Sequence, residues 1–170
     1  KVQFIISVLH KPSVLIFDEP FSGFDPINTN LIKQELLQLK KEGVTILLST
    51  HNMASVEELC DEIVLINSSK NVLNGKVAEI KQQYKEHLYE VEFKGFVNII
   101  EMAHRYQYEI ISHTQSEQNH RVVLRLLDEE VNTNMLIKAL LEVGTIIQFK
   151  ELLPSMDEIF IKVVNQTKNM

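Results

Sequence analysis

Two adjacent carboxylates, Asp18 and Glu19, close the apolar run Val14-Leu15-Ile16-Phe17. Four apolar residues with no polar alternation suit a strand buried on both faces of a parallel sheet, whose carboxyl edge is where such sheets bind ligands. Taken alone, the pattern fits a buried strand and an acidic helix-capping turn equally well. The downstream residues favour the ligand site. Pro20–Pro26 (PFSGFDP) follows the acidic pair, and 32 residues beyond Glu19 a second apolar run, Thr45–Thr50 (TILLST), delivers His51. Two strands therefore aim polar side chains at one sheet edge, the arrangement that phosphate hydrolysis requires.

The elements that must position these groups follow in order. Asp25-Pro26 is a helix start, because Asp caps orphan N–H groups and Pro at the first helical position loses no hydrogen bond. The stripe Ile32, Leu36 and Leu39 carries that helix to about Glu42, with Gly43 as its stop and a strand over Val44–Ser49. Strand, helix, strand is the unit that builds a parallel sheet. A helix around Ala54–Cys60 leads to a hairpin over Glu62–Asn74 that is expected to close this sheet, then a helix over Lys76–Tyr84 and a linker over Lys81–His87. Beyond it, Leu88–Lys94 alternates Tyr89, Val91 and Phe93 against Glu90, Glu92 and Lys94, the mark of a half-exposed strand. A helix near Val97–His104, strands at Tyr108–His113 and Arg121–Leu126, a helix at Asn132–Val143 and a strand at Thr145–Lys150 complete a β-α-β-β-α-β order. That order is ferredoxin-like, with Ser155–Val164 as an added helix.

With these residues in place, the chain resembles the ATP-binding cassette (ABC) ATPases. VLIFDEP (Val14–Pro20) is similar to their Walker B strand, SGFD (Ser22–Asp25) to the D-loop and ILLSTH (Ile46–His51) to the H-loop, in the family's order and approximate spacing. PSMDEIF (Pro154–Phe160) is similar to the closing helix of many bacterial ABC exporter ATPases. Many relatives have SGLD or SALD, so Phe24 is a bulkier version of the same apolar anchor. No G-x-x-x-x-G-K-[ST] loop occurs: the one Gly-Lys pair, Gly75-Lys76, is preceded five positions earlier by Lys70 and followed by Val77. The glutamine loop and the LSGGQ-like signature are missing as well, and Lys1–Leu9 reads as the remainder of the helix that follows the signature. The resemblance thus implies the C-terminal part of a longer polypeptide, inactive alone. Its fold would be α/β: part of a P-loop NTPase parallel sheet over residues 1–85, then a small α+β ferredoxin-like domain over residues 86–170.

What the resemblance implies for the site is specific. Asp18 would hold Mg2+ through a water, Glu19 would orient and deprotonate the attacking water, and His51 would donate a hydrogen bond to the terminal phosphate of ATP. Ser22 and Asp25 would reach across a head-to-tail dimer to a second ATPase subunit, Asp25 also capping a helix. The implied parent is the ATP-hydrolysing subunit of an ABC transporter, held at the inner face of the cell membrane by a transmembrane permease. The alternatives are a non-transport ABC ATPase, or a regulatory or dimerisation module in the C-terminal half. DEPFSGFDP is more similar to transporter cassettes than to the Walker B regions of chromosome-maintenance ATPases.

Composition agrees. At 170 residues and 45% hydrophobic, the chain has material for one ordinary or two small cores. No apolar run approaches the ~18 residues of a membrane span. A net charge of -6 argues against nucleic acid, which requires a basic face. The single cysteine, Cys60, excludes an internal disulfide and suits a small core residue. The histidines other than His51 fall at spacings that suggest no shared metal site and are expected at the surface, and Asp128-Glu129-Glu130 is expected to start a helix. Because Asp18 and Glu19 repel a polyphosphate unless backbone donors and a metal intervene, residues 1–170 alone should not bind ATP appreciably. Calorimetric titration with Mg-ATP measures this, and micromolar binding would overturn the expectation.

Overall fold

The structure is a computed structural model, and it describes residues 2–95, 108–127 and 133–168. The helix expected near Val97–His104 and the cluster Asp128-Glu129-Glu130 lie outside the described residues. The chain divides into two compact units, Lys1–Glu79 together with Ser155–Met170, and Ile80–Pro154.

The first unit runs α1 (Val2–Leu9), β1 (Val14–Asp18), α2 (Pro26–Lys41), β2 (Thr45–Ser49), α3 (Met53–Leu59) and the hairpin β3 (Glu62–Asn67) and β4 (Lys70–Lys76), after which α4 (Val77–Gln83) leads onward. β1 and β2 pair in parallel, from Val14 opposite Thr45 to Asp18 opposite Ser49. α2 forms where expected: the Asp25 carboxylate accepts from the Asn28 N–H, Pro26 follows, Lys40 and Lys41 lie in the last turn, and Gly43 turns the chain at φ 90°. Its buried face, Ile32 and Leu36, meets Leu59 of α3, with Phe4, Phe17, Phe21, Phe24, Ile46 and Leu48 packed around them. Phe4 stacks on Phe17 at 5.6 Å between ring centres, so α1 covers one face of β1.

Two expectations for this unit are corrected. The hairpin β3–β4, turned by Ser68 and Ser69 at φ 49° and 60°, does not close the β1–β2 sheet but forms its own two-stranded sheet. A groove of about 1410 Å3, lined by Ile46, Leu48, Val56, Ile63 and Leu65 among others, lies there instead, because among the described residues no strand bonds β2 to β3. The last helix, α6 (Met156–Lys168), belongs to the first unit and not to the second. Ser155 and Glu158 form a reciprocal cap: Ser155 N–H and Oγ donate to the Glu158 carboxylate at 2.7 and 2.8 Å, and Glu158 N–H donates to Ser155 Oγ at 3.2 Å. The Glu57 carboxylate of α3 accepts the Met156 N–H, and the stripe Met156, Ile159 and Val163 is buried as the helix packs on α3 and β4.

The second unit is a four-stranded antiparallel sheet of β5 (Leu88–Lys94), β6 (Tyr108–Ser116), β7 (Asn119–Leu126) and β8 (Thr145–Leu152), with α5 (Thr133–Val143) between the last two strands in sequence. The spatial order β6-β7-β5-β8 is that of the ferredoxin-like arrangement. Tyr89, Val91 and Phe93 point into a core with Val122, Leu124, Leu136 and Leu140, while Glu90 and Glu92 take the opposite face. There Arg121 Nε donates to Glu92 at 2.6 Å. The expected linker Lys81–His87 lies within this unit: α4 runs through Gln83, Arg125 meets Glu86 at 3.4 Å, and the Leu126 N–H donates to His87 O at 3.1 Å.

The expected surface position of His120 is also corrected. Its ring is 4% exposed and stacks on Phe93 at 5.0 Å. Nε2 donates to the Gly95 carbonyl at 3.1 Å, which leaves Nδ1 of the neutral ring to accept from His113 Nε2 at 3.1 Å. Burial first, and then the neighbouring His120, hold His113 below the usual histidine range. At Gly144, between α5 and β8, a Cβ would lie 2.4 Å from the Lys94 carbonyl oxygen, a backbone atom that cannot swing aside. Gly144→Ala should therefore destabilise the protein by about 1–3 kcal/mol, measured by denaturant unfolding, and an unchanged midpoint would contradict this close approach.

Candidate functional site

The parallel register sets the ends of β1 and β2 level, so Asp18 stands opposite Ser49 and the Ser49 hydroxyl donates to the Asp18 carboxylate. The ladder continues one residue further, with the Glu19 N–H donating to Ser49 O at 3.0 Å. Glu19 then leaves the strand in the left-handed region, φ 45°, a conformation that costs a non-glycine residue roughly 1–3 kcal/mol. A tight turn holds it there. The Ser22 N–H donates to Glu19 O at 3.1 Å, the Phe24 N–H to Phe21 O at 3.3 Å, and Gly23 takes φ 76°.

This backbone turn brings the Glu19 carboxylate over the end of β2. Oε1 accepts the His51 N–H at 3.0 Å and lies 2.6 Å from His51 Nδ1, and Oε2 accepts from Thr50 Oγ1 at 3.4 Å. The side chain of Glu19 is 35% exposed and that of His51 87%. The His51 side-chain hydrogen bond holds the Glu19 carboxyl below its usual range; desolvation opposes this, while the His51 charge, the His51 N–H and Thr50 reinforce it. With Nδ1–H donated to Glu19, His51 retains Nε2 for another partner, and donation from Nε2 in that state requires the imidazolium. Asn52 caps α3 directly after His51, accepting the Ser55 N–H at 2.8 Å, and its own N–H donates to Thr50 Oγ1 at 3.1 Å.

Of the residues singled out from the sequence, Asp18, Glu19 and His51 converge. Ser22 and Asp25 lie on the turn that follows. Ser22 supplies its N–H to that turn, and the Asp25 carboxylate is engaged by the backbone and side chain of Asn28, which lower its pKa, the backbone bond most. Sequence reasoning passed over Ser49 and Thr50, although both precede His51 and are the polar residues at the end of β2. Asp18 and Ser49 offer hard oxygen donors that suit Mg2+, which takes one or two carboxylates and leaves its other positions to phosphate and water. No group of three or more His, Cys, Asp or Glu side chains among the described residues could enclose a metal by itself.

The chain is similar to known proteins over both halves. A family model described as the C-terminal domain of DrrA1-3-like ATP-binding proteins matches residues 75–164. YhaQ of Bacillus subtilis, described as an uncharacterized ABC transporter ATP-binding protein, is 51% identical over 84 residues, which are 49% of this chain and 28% of YhaQ. A protein of Alkalihalophilus pseudofirmus with the same description is 35% identical over 164 residues, 96% of this chain and 59% of that protein. A third, from Methanocaldococcus jannaschii, is 47% identical over 90 residues, 52% of this chain and 34% of its own length. The chain therefore spans less than two thirds of the length of each of these relatives. Because the matched domain covers more than half of the chain, and the Alkalihalophilus pseudofirmus protein described as an ABC transporter ATP-binding protein aligns along 96% of it, the chain belongs to the family of DrrA1-3-like ATP-binding proteins.

Proposed function

We propose that the whole protein is the ATP-hydrolysing subunit of an ABC transporter, and that Asp18, Glu19 and His51 form the hydrolytic edge of its site. The observation that carries this reading is the Glu19–His51 contact of 2.6 Å across the level ends of β1 and β2, with Asp18 held beside it by Ser49. Glu19 is the general base. Its carboxylate is ionised at neutral pH, and its turn fixes the oxygens at the sheet edge where a terminal phosphate would be presented with its attacking water. His51 orients Glu19 through Nδ1 and offers Nε2 to the phosphate.

Asp18 would hold Mg2+ through a water, with the Ser49 hydroxyl fixing its carboxylate. Such a cation would supply positive charge that offsets negative charge on the phosphate. Ser22 and Asp25 would contact a second ATPase subunit in a head-to-tail dimer. Transport would pass through a transmembrane permease that places the subunit at the inner face of the cell membrane. Among the described residues no helix is long and apolar enough to cross a membrane.

In the full-length protein, Glu19→Gln should keep ATP binding and lower kcat by ~10^2 to 10^4, because the amide retains shape and hydrogen-bonding reach but cannot take the proton. ATP-bound dimers should accumulate, and hydrolysis at the wild-type rate would show that Glu19 is not the base. The lowered Glu19 pKa has a sign that can be tested separately. His51 favours the ionised carboxyl, so His51→Ala should raise the Glu19 pKa toward the ordinary glutamate value, as read by carbon-detected NMR titration of the side-chain carboxyl. An unmoved titration would refute the contact as the cause.

A further inference from the structure

Two lysines one face and seven residues apart, Lys33 and Lys40, tie α2 to α3, and they do so in different ways. Lys40 Nζ donates to Leu59 O at 3.0 Å and Asp61 Oδ1 at 2.7 Å from a side chain 37% exposed, an ordinary bridge at the rim. The Lys33 side chain is only 11% exposed. Its Nζ lies 2.6 Å from Glu58 Oε2 on α3 and 5.7 Å from the centre of the Phe21 ring, within the range of a cation–π contact. Burying an ammonium is unfavourable unless it is paired, and an apolar residue beside Ile32 and Leu36 would meet no such penalty. Stability alone therefore does not account for a lysine here.

Its two contacts lead to the two halves of the site. Phe21 belongs to the turn that holds Glu19 in the left-handed region, since its carbonyl and that of Glu19 accept the N–H groups closing the turn. Glu58 belongs to the helix whose cap, Asn52, adjoins His51. One buried cation thus touches both segments whose side chains meet as Glu19 and His51. We infer that Lys33 is a positioning residue for that pair, setting the turn after β1 against the helix after β2 through Phe21 and Glu58. This rests on the hydrolytic reading of the site. A catalytic base and its partner tolerate little displacement: a shift of about 1 Å can cost ~10^2 in rate.

The test uses the full-length protein with Lys33→Met, Phe21→Leu, the double variant, Lys33→Arg, and Lys40→Met as a bridge that does not touch Phe21. Lys33→Met and Phe21→Leu should each lower kcat about tenfold with KM for ATP within about twofold, and the double variant should be no worse than either alone, as for residues acting as a unit. Lys33→Arg should recover most of the rate, because a guanidinium can both pair with a carboxylate and stack on a ring. Lys40→Met should lower Tm while leaving kcat in place. Independent losses that multiply, a wild-type kcat in Lys33→Met, or an equal kcat loss in Lys40→Met would each overturn the inference. If the wild-type protein hydrolyses no ATP, the functional reading fails, and the inference is then decided crystallographically by the Glu19–His51 distance, which is 2.6 Å with Lys33 in place. Lys33→Met should lengthen that contact beyond hydrogen-bonding distance, and an unchanged Glu19–His51 distance overturns the inference.

Discussion

The parallel register of β1 on β2 is the constraint on which the site depends. It places Asp18 opposite Ser49, and every later contact at the sheet edge follows from that pairing. A slip of one residue would send Asp18 to the other face of its strand, separate it from Ser49 and carry Glu19 away from His51. The register is held by the one buried face of these strands, which leaves Leu15 only 5% exposed and sets Phe17, Ile46 and Leu48 against the core of Ile32, Leu36 and Leu59. Ile16 and Leu47 on the other face are exposed, so the burial on both faces expected from the uninterrupted apolar run is corrected to one. Glu19 ends this regular pairing by leaving the strand in the left-handed region. Its left-handed backbone is strained, and the strain is sustained by the turn through Phe24 and by the hydrogen bonds its carboxylate accepts from Thr50 and His51.

Around that edge, the helices serve as struts. α2 begins on the Asp25 cap immediately after the Glu19 turn, and α3 begins on the Asn52 cap immediately after His51, so each strand end is fixed on both sides by hydrogen-bonded backbone. The charged bridges from Lys33 and Lys40 join the two helices over their buried apolar seam. α6 adds a third support: Glu57 caps its first turn, and Met156 and Ile159 are all but fully buried. These supports act on the backbone at the strand ends and not on the side chains that meet there, and the His51 side chain stays 87% exposed.

The second unit follows a simpler logic. Strict alternation in β5 sorts aromatic and branched side chains to the helix-covered face and glutamates to the other, where Arg121 and Arg125 pair with glutamates across the strands. Such exposed pairs add little stability, about 0–1 kcal/mol each, so the unit is held by its core, in which Val91, Phe93, Val122 and Leu124 are fully excluded from solvent. His120 is the polar exception. It is accommodated because the Gly95 carbonyl and His113 satisfy both ring nitrogens, the condition under which a buried imidazole is tolerated.

The sequence by itself determined the local elements and the residues that converge. Uninterrupted apolar runs ending in DE and in STH specify two strands whose polar ends share an edge, Asp25-Pro26 and Gly43 delimit α2, and the alternation of Leu88–Lys94 specifies a half-buried strand, because periodicity and capping act over a few residues. What the tertiary structure decided depends on partners far apart in the chain. The Ser49–Asp18 and His51–Glu19 contacts span 31 and 32 residues, and Glu19's left-handed backbone has no sequence signal because glycine is the residue that ordinarily marks it. The separation of β3–β4 from β1–β2 likewise follows from which edges find a partner, not from the content of the strands. Burial of His120 against Phe93 depends on cross-strand neighbours that spacing alone does not reveal. The boundary after Glu79 and the return of α6 to the first unit were decided in the same way, since an amphipathic helix shows in its sequence that it needs an apolar surface, and only the assembled fold supplies α3 and β4 as that surface.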